Sequence, residues 1–323
     1  MSDNDLYRDA AEALGHAEEL ILACHVGPDG DALGSMLGLA IAAENAGKSV
    51  QSSFGSPFTV PFNLRFLPQT TLVPPAELSA EPELMVVLDV GAPDRLGELA
   101  AIAAKAGTVL VLDHHVTNDG FGDIAIVEPS AAATGEIVYR LLEQLGWEVT
   151  PEIATCLLTA LVTDTGRFQY SNTTPETLRI AAVLMEAGGE PTVIGRHVYE
   201  EAPFGFLKAA GSALTRAVLD EERGVVHAVI TQDDLDAAEI GWGDIDHLMD
   251  TLRLAMQADV AVLAKCYSDG NVKVSLRSRG ATDVGSLAAS FGGGGHRLAA
   301  GFTIVGDPDE VIAQVVSKVG EHR

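Results

Sequence analysis

The apolar positions of this chain follow two rhythms. Over roughly the first 190 residues, short unbroken apolar runs at 20–24, 84–88 and 108–112 alternate with longer segments whose apolar residues recur at helical spacing. An unbroken run of about five apolar residues suits a strand covered on both faces, and such strands belong to parallel sheets. Another strand is expected at 49–54. Helical spacing covers 6–19, 32–46, 93–106, 134–145 and 151–162. A further helix opens at Thr174-Pro175-Glu176 and ends near Gly188-Gly189. Proline at the start of 151–162 and glycine at the end of 32–46 mark helix boundaries. Strand-helix alternation of this kind predicts an α/β fold with a doubly wound, mainly parallel sheet.

The second rhythm is that of a smaller domain. Val225–Ile230 is apolar, and 260–267 and 271–278 flank Ser268-Asp269-Gly270, a hairpin signal. In the second arm Val272, Val274 and Leu276 alternate with Lys273, Ser275 and Arg277, so one face is buried and the other is polar. A helix over 284–291 leads into four consecutive glycines. These elements predict a mixed α/β domain over 213–323, joined to a domain over 1–188 by a linker at 189–212 that begins rich in Gly, Pro and charge. The active site is expected in the cleft between the two.

Charge narrows the range of partners. The chain carries 46 acidic against 20 basic residues, a formal net charge of −26. Long duplex nucleic acid is bound mainly through Lys and Arg, so it is not an expected partner. A short anionic substrate, held by metal ions and a few local arginines, is compatible with this balance. No apolar run reaches the ~18 residues of a membrane span. The start, Met-Ser-Asp-Asn-Asp, lacks the basic and apolar regions of a signal peptide. Three widely spaced cysteines, Cys24, Cys156 and Cys266, lie in apolar runs and read as reduced thiols. A cytoplasmic protein without membrane attachment is the expectation.

Polar chemistry gathers where the apolar runs stop. His25, Asp29 and Asp31 share the turn His25-Val-Gly-Pro-Asp29-Gly-Asp31 after the first strand. Asp89 follows the 84–88 run, Asp113-His114-His115 follow the 108–112 run, and Asp164 ends a helical run. Open α/β sheets place active sites beyond such strand ends. Two imidazoles and four carboxylates form the ligand set of two divalent cations, with Asp89 able to bridge them. Each piece alone has an ordinary role: Pro-Asp-Gly is a common turn, an acid after a strand can cap a helix, and histidines can bond nearby backbone. Magnitude separates the readings. Two carboxylates 4 Å apart repel by about 4 kcal/mol at an effective dielectric of about 20. Four of them crowded without a cation would consume most of an ordinary stability of about 5–15 kcal/mol. Either the acids stay apart or cations hold them, and the order of elements argues that they converge.

The Gly292–Gly295 run before His296 is either an anion cradle of exposed backbone N–H groups or a flexible loop. It has neither dinucleotide-fingerprint nor P-loop spacing. Arg277, Arg279 and Arg297 make this stretch locally basic and favour the anion reading.

The His-x-x-x-Asp-x-Asp turn, the strand-end Asp89, the Asp113-His114-His115 tripeptide and the later Asp164-Thr-Gly, in this order, resemble the DHH phosphoesterase superfamily. The glycine run with His296 and Ala299-Ala300-Gly301 looks like the signature of its DHH-associated C-terminal domain. Size and layout are most similar to its bifunctional oligoribonucleases and 3′-phosphoadenosine-5′-phosphate phosphatases. The resemblance implies two divalent ions, usually manganese, a homodimer, and short substrates: oligoribonucleotides, linear or cyclic dinucleotides, or pAp. It assigns His25, Asp29 and Asp89 to one ion and Asp31, Asp89, His114 and Asp164 to the other. Asp113 would orient a histidine, and His115 would contact the scissile phosphate or protonate the leaving oxygen. Arg277, Gly294, Gly295 and His296 would grip the nucleotide. The alternatives are a pyrophosphatase or exopolyphosphatase with the same metal set, or a nucleotide sensor that binds without cutting.

Overall fold

A computed structural model describes residues 3–245 and 247–319. The chain divides after Glu201 into two units. The first runs α1 (Asp3–His16), β1 (Glu19–Cys24), α2 (Gly30–Asn45), β2 (Ser49–Phe54), β3 (Leu84–Leu88), α3 (Ala100–Ala103), β4 (Thr108–Asp113), β5 (Ile124–Val127), α4 (Thr134–Leu145), α5 (Pro151–Asp164), α6 (Pro175–Glu186) and α7 (Pro191–Gly195). The five strands are all parallel, in the order β2-β1-β3-β4-β5. Strand alternation feeds both faces. Leu20, Leu22, Cys24, Val86 and Leu112 pack into one core with residues of α1, α2, α4 and α5. Ile21, Ala23, Met85, Val87 and Val111 pack on the other side with Leu78, Leu96 and Leu99. From β1 the chain steps outward to β2 and then returns to the opposite side as β3. A crevice therefore opens at the carboxyl ends of β1 and β3, where such sheets bind ligands.

Helices α2 and α5 meet along a seam of small residues. An added Cβ at Gly34 would lie 2.4 Å from the Cys156 carbonyl oxygen, one at Gly38 2.9 Å from Leu157 Cδ2, and one at Gly30 2.4 Å from the Thr163 side chain. These glycines recur every four residues, on one helical face. Their missing side chains let α5 press against α2 from Cys156 to Thr163, and this contact delivers Asp164, the last residue of α5, next to the first turn of α2.

Two departures from the sequence pattern have local causes. The helix expected over 93–106 is a 3₁₀ segment, Pro93–Leu99, followed by the single-turn α3. Gly97 breaks it with a left-handed φ of 58°. The edge strand β5 is only four residues long, too short for the apolar pattern to mark it.

The second unit runs α8 (Phe204–Thr215), β6 (Val218–Asp220), β7 (Val225–Thr231), α9 (Gln232–Ala238), α10 (His247–Leu252), β8 (Val260–Cys266), β9 (Asn271–Ser278), α11 (Val284–Ala289), β10 (Gly294–His296), β11 (Ala299–Val305) and α12 (Pro308–Val319). Its sheet order is β10-β11-β9-β8-β7-β6, with β7 and β8 parallel and every other pair antiparallel. The stretch 189–212 is structured. Its start forms α7 of the first unit, while Phe206, Ala209 and Ala210 of α8 belong to the core of the second. Among the described residues no helix is long and apolar enough to cross a membrane. Asp234 ties α8 to α9. It completes the capping box of Thr231 and accepts hydrogen bonds from Ser212 at 2.7 Å and Arg216 at 2.6 Å. Burial opposes its ionisation, but hydrogen bonds from Arg216, Thr231 and Ser212 outweigh it and lower its pKa to about 2.

Gly34→Ala forces backbone apart and should lower unfolding stability by about 1–3 kcal/mol, measured by urea denaturation. Gly15→Ala, with nothing near its Cβ, should leave stability unchanged or raise it by up to about 1 kcal/mol. Asp234→Ala should cost about 1 kcal/mol at pH 7. Because the folded pKa lies below the ordinary carboxylate value, this contribution is full above about pH 4 and fades as pH falls toward 2. Urea midpoints at pH 7 and pH 3 check it; an unchanged difference contradicts the charge argument.

Candidate metal centre

The loop after β1 aims its first histidine by a backbone bond. The His25 Nδ1–H donates to the Val26 carbonyl at 3.1 Å. Its Nε2 therefore faces Asp29 Oδ2 at 3.7 Å and Asp89 Oδ2 at 3.5 Å. Asp29 has two jobs on two oxygens. Its Oδ1 caps α2 by accepting the N–H groups of Asp31 and Ala32, while its Oδ2 turns to His25.

Asp89 sits where β3 ends, in a left-handed backbone conformation with φ 58°. This conformation is uncommon outside glycine, though aspartate tolerates it, and it concentrates at functional sites. Asp89 does not cap the next helical segment, which starts at Pro93 behind Ala92. Its carboxylate is buried and splits its oxygens instead. Oδ2 faces His25; Oδ1 lies 3.6 Å from His114 Nε2 and accepts the Thr134 hydroxyl at 3.1 Å.

The end of β4 supplies the next three residues. His114 Nδ1 donates to the Ala131 carbonyl at 3.3 Å. Its Nε2 lies 3.6 Å from Asp31 Oδ2 and 3.7 Å from Asp164 Oδ2. His115 Nδ1 donates to Asp113 Oδ1 at 2.7 Å, and the other oxygen of the fully buried Asp113 accepts from Asn118 at 2.7 Å. Asp113 thus sets the ring orientation of His115.

Asp31, 1% exposed, accepts three hydrogen bonds: from Ser35 Oγ at 2.8 Å and from the backbone N–H groups of Thr134 at 2.7 Å and Gly135 at 3.0 Å. The last two belong to the first turn of α4, whose capping residue is Ala133 and brings no side chain to it. The orphan donors of that helix end are satisfied by a carboxylate 103 residues earlier in the chain. Thr134, Gly135 and Asn172 belong to no motif that the sequence displays. Asn172 donates to the Ala132 carbonyl at 2.9 Å and to Asp164. The available signal is indirect, a helix start preceded by Ala131-Ala132-Ala133 where a capping side chain is usual.

The titrating groups show how tightly charge is crowded. Burial, reinforced by the Asp89 charge, raises the Asp31 pKa well above the ordinary value. Burial and the neighbouring Asp29 and Asp89 outweigh His114 and push Asp164 up to about 7. Burial disfavours the imidazolium forms, yet hydrogen bonds to Asp29 and Asp89 lift His25 to about 10, and the charges of Asp31, Asp89 and Asp164 lift His114 to about 9. Asp113 is lowered despite burial because His115 and Asn118 bond its oxygens.

Among the described residues, three sets of donor atoms lie within 4.8 Å of one another: His25, Asp29 and Asp89; Asp31, His114 and Asp164; and Asp89, His114 and His115. Each combines imidazole nitrogen with carboxylate oxygen, a set suited to first-row divalent cations, and three donors leave positions for water or a phosphoryl oxygen. The residues fit divalent cations, and Asp89 belongs to two of the three sets. All six residues assigned from sequence as metal ligands, with Asp113 and His115, are thereby brought together.

The remaining sequence candidates lie in the second unit. Arg277 on β9 is paired with Ala299 on β11, which pairs in turn with His296 on β10. Backbone alone is described for His296; its side chain lies outside the described residues. The second half of the glycine run is strand and not a flexible loop. Gly294 and Gly295 form the edge strand β10, and a Cβ at Gly295 would lie 2.6 Å from the Ala299 carbonyl oxygen.

The chain matches the model of the DHH family N-terminal domain over residues 19–161 and that of the DHHA1 domain over 222–321. It is 36% identical to a protein of Thermus thermophilus named bifunctional oligoribonuclease and PAP phosphatase NrnA, covering 97% of this chain and 93% of that one. A Bacillus subtilis protein of the same name is 28% identical, with 94% and 96% covered. Among solved structures, an exopolyphosphatase-related protein from Bacteroides fragilis superposes with a TM-score of 0.90 at 26% identity, covering 98% of this chain and 96% of that one. With its aspartate-rich crevice and these two matched domains, the chain belongs to the DHH family.

Proposed function

We propose that this chain is a divalent-metal phosphohydrolase that cleaves short oligoribonucleotides, including linear or cyclic dinucleotides, to 5′-mononucleotides and removes the 3′-phosphate of pAp. The observation that carries the reading is the division of Asp89 between two donor clusters, one oxygen to each. The substrate class is supported by near full-length likeness to relatives named oligoribonuclease and PAP phosphatase.

His25, Asp29 and Asp89 would hold one ion, and Asp31, His114, Asp164 and the second oxygen of Asp89 the other. Bound ions supply Lewis-acid charge against the phosphoryl oxygens and an acidified water. The chain's own residues position and exclude. Asp113 fixes His115 through Nδ1 and favours its imidazolium form, so the doubly protonated ring presents Nε2–H to contact the scissile phosphate or protonate the leaving oxygen. Arg277 and the backbone of Gly294, Gly295 and His296 take a substrate phosphate by charge and N–H donation. The mixed nitrogen and oxygen donors favour manganese over magnesium. The net charge of −26 works against long polyanions and restricts the substrate to short ones. The same reading places the protein in the cytoplasm as a homodimer without membrane attachment.

The purified chain with manganese should release mononucleotides from pApA and a five-nucleotide RNA and phosphate from pAp, with products separated by chromatography; cyclic di-AMP completes the panel. Hydrolysis of pyrophosphate alone would shift the assignment to a pyrophosphatase, and nucleotide binding without product to a sensor. Asp89→Ala should abolish turnover of pApA at saturating manganese. Residual activity within tenfold of the parent would contradict the bridging role.

A further inference from the structure

Behind the ligands lies a buried carboxylate that the reaction does not use. Glu136, in the first turn of α4, is 1% exposed. One oxygen accepts the Ala132 N–H at 3.1 Å and the Thr177 hydroxyl, from α6, at 3.2 Å. The other is paired with Arg140, one turn on, and Arg140 also bonds Glu128 at 2.6 Å. Glu136 therefore pins the bend Ala131–Gly135 from behind.

That bend touches the whole second cluster. The Ala131 carbonyl orients His114, the Ala132 carbonyl receives Asn172, which also bonds Asp164, and the Thr134 hydroxyl reaches Asp89. The N–H groups of Thr134 and Gly135 hold Asp31. Four of these five residues thus orient four proposed ligands, and Glu136 ties the bend to α6. We propose that Glu136 is a positioning residue that sets the affinity of the Asp31–His114–Asp164 cluster for its cation. The inference rests on the two-ion reading above. Groups that orient metal ligands typically change affinity 10–100-fold when removed.

The test is manganese binding by the full chain, followed by electron paramagnetic resonance of the free ion, beside thermal unfolding without metal and kinetics at saturating manganese. Glu136→Ala should weaken at least one manganese site by about ten- to a hundredfold and lower kcat while leaving the substrate KM near the parent value. Glu136→Gln, which keeps an oxygen for the Ala132 N–H, should recover much of the loss. A purely structural role predicts a lower unfolding temperature with a manganese dissociation constant within twofold of the parent, and that result overturns the inference. Should Glu136→Ala fail to fold, Thr177→Val decides the matter: it removes the hydroxyl that aims the carboxylate, and unchanged manganese affinity there overturns the inference equally. A parent chain that binds no manganese overturns the two-ion reading itself, and this inference with it.

Discussion

Four carboxylates within reach of two imidazoles set the terms for the first unit. Asp29, Asp31, Asp89 and Asp164 converge from three separate places in the chain, and their mutual repulsion has to be offset by something. The protein offsets part of it with neutral hydrogen bonds. Asp29 takes the amide groups at the start of α2, and Asp31 takes those at the start of α4. Both are helix ends with positive character, so each acid lies where the backbone field favours it. Asp164, at the carboxyl end of α5, lacks such help; burial and the neighbouring acids raise it to about 7, and burial raises Asp31 as well despite its donors. The remaining imbalance is what bound divalent cations would remove.

Geometry follows from this requirement. Parallel pairing of β1, β3 and β4 lines up three strand ends, which places His25, Asp89 and His114 side by side without any long side chain. The fourth contribution arrives on a helix, and the close α2–α5 seam sets its depth. At Gly34 backbone lies against backbone, while Gly30 and Gly38 make room for the Thr163 and Leu157 side chains, so the position of Asp164 depends on close packing along the whole seam.

The sequence shows the strands and ligands more clearly than the framework around them. Unbroken apolar runs identify β1, β3 and β4 because strands covered on both faces leave no room for polar residues. The polar residues directly after those runs are then the ones at the crevice. The 93–106 region misleads, because its helical spacing holds while Gly97 turns left-handed. Strand β10 is equally hidden: Gly-Gly-His carries no strand propensity, and its pairing comes from β11. The donors to Asp31 are beyond any local pattern, since Thr134 and Gly135 are ordinary residues at a helix start until the fold carries them to an acid more than a hundred positions away.

That separation between Asp31 and its amide donors also ties the acid to the docking of a remote helix. Contacts so remote in the chain carry a loop-closure cost that local contacts do not. Asp31 has no full set of partners until α4 has been built and docked. A chain in which α4 is undocked therefore carries the acids of the crevice without their alignment.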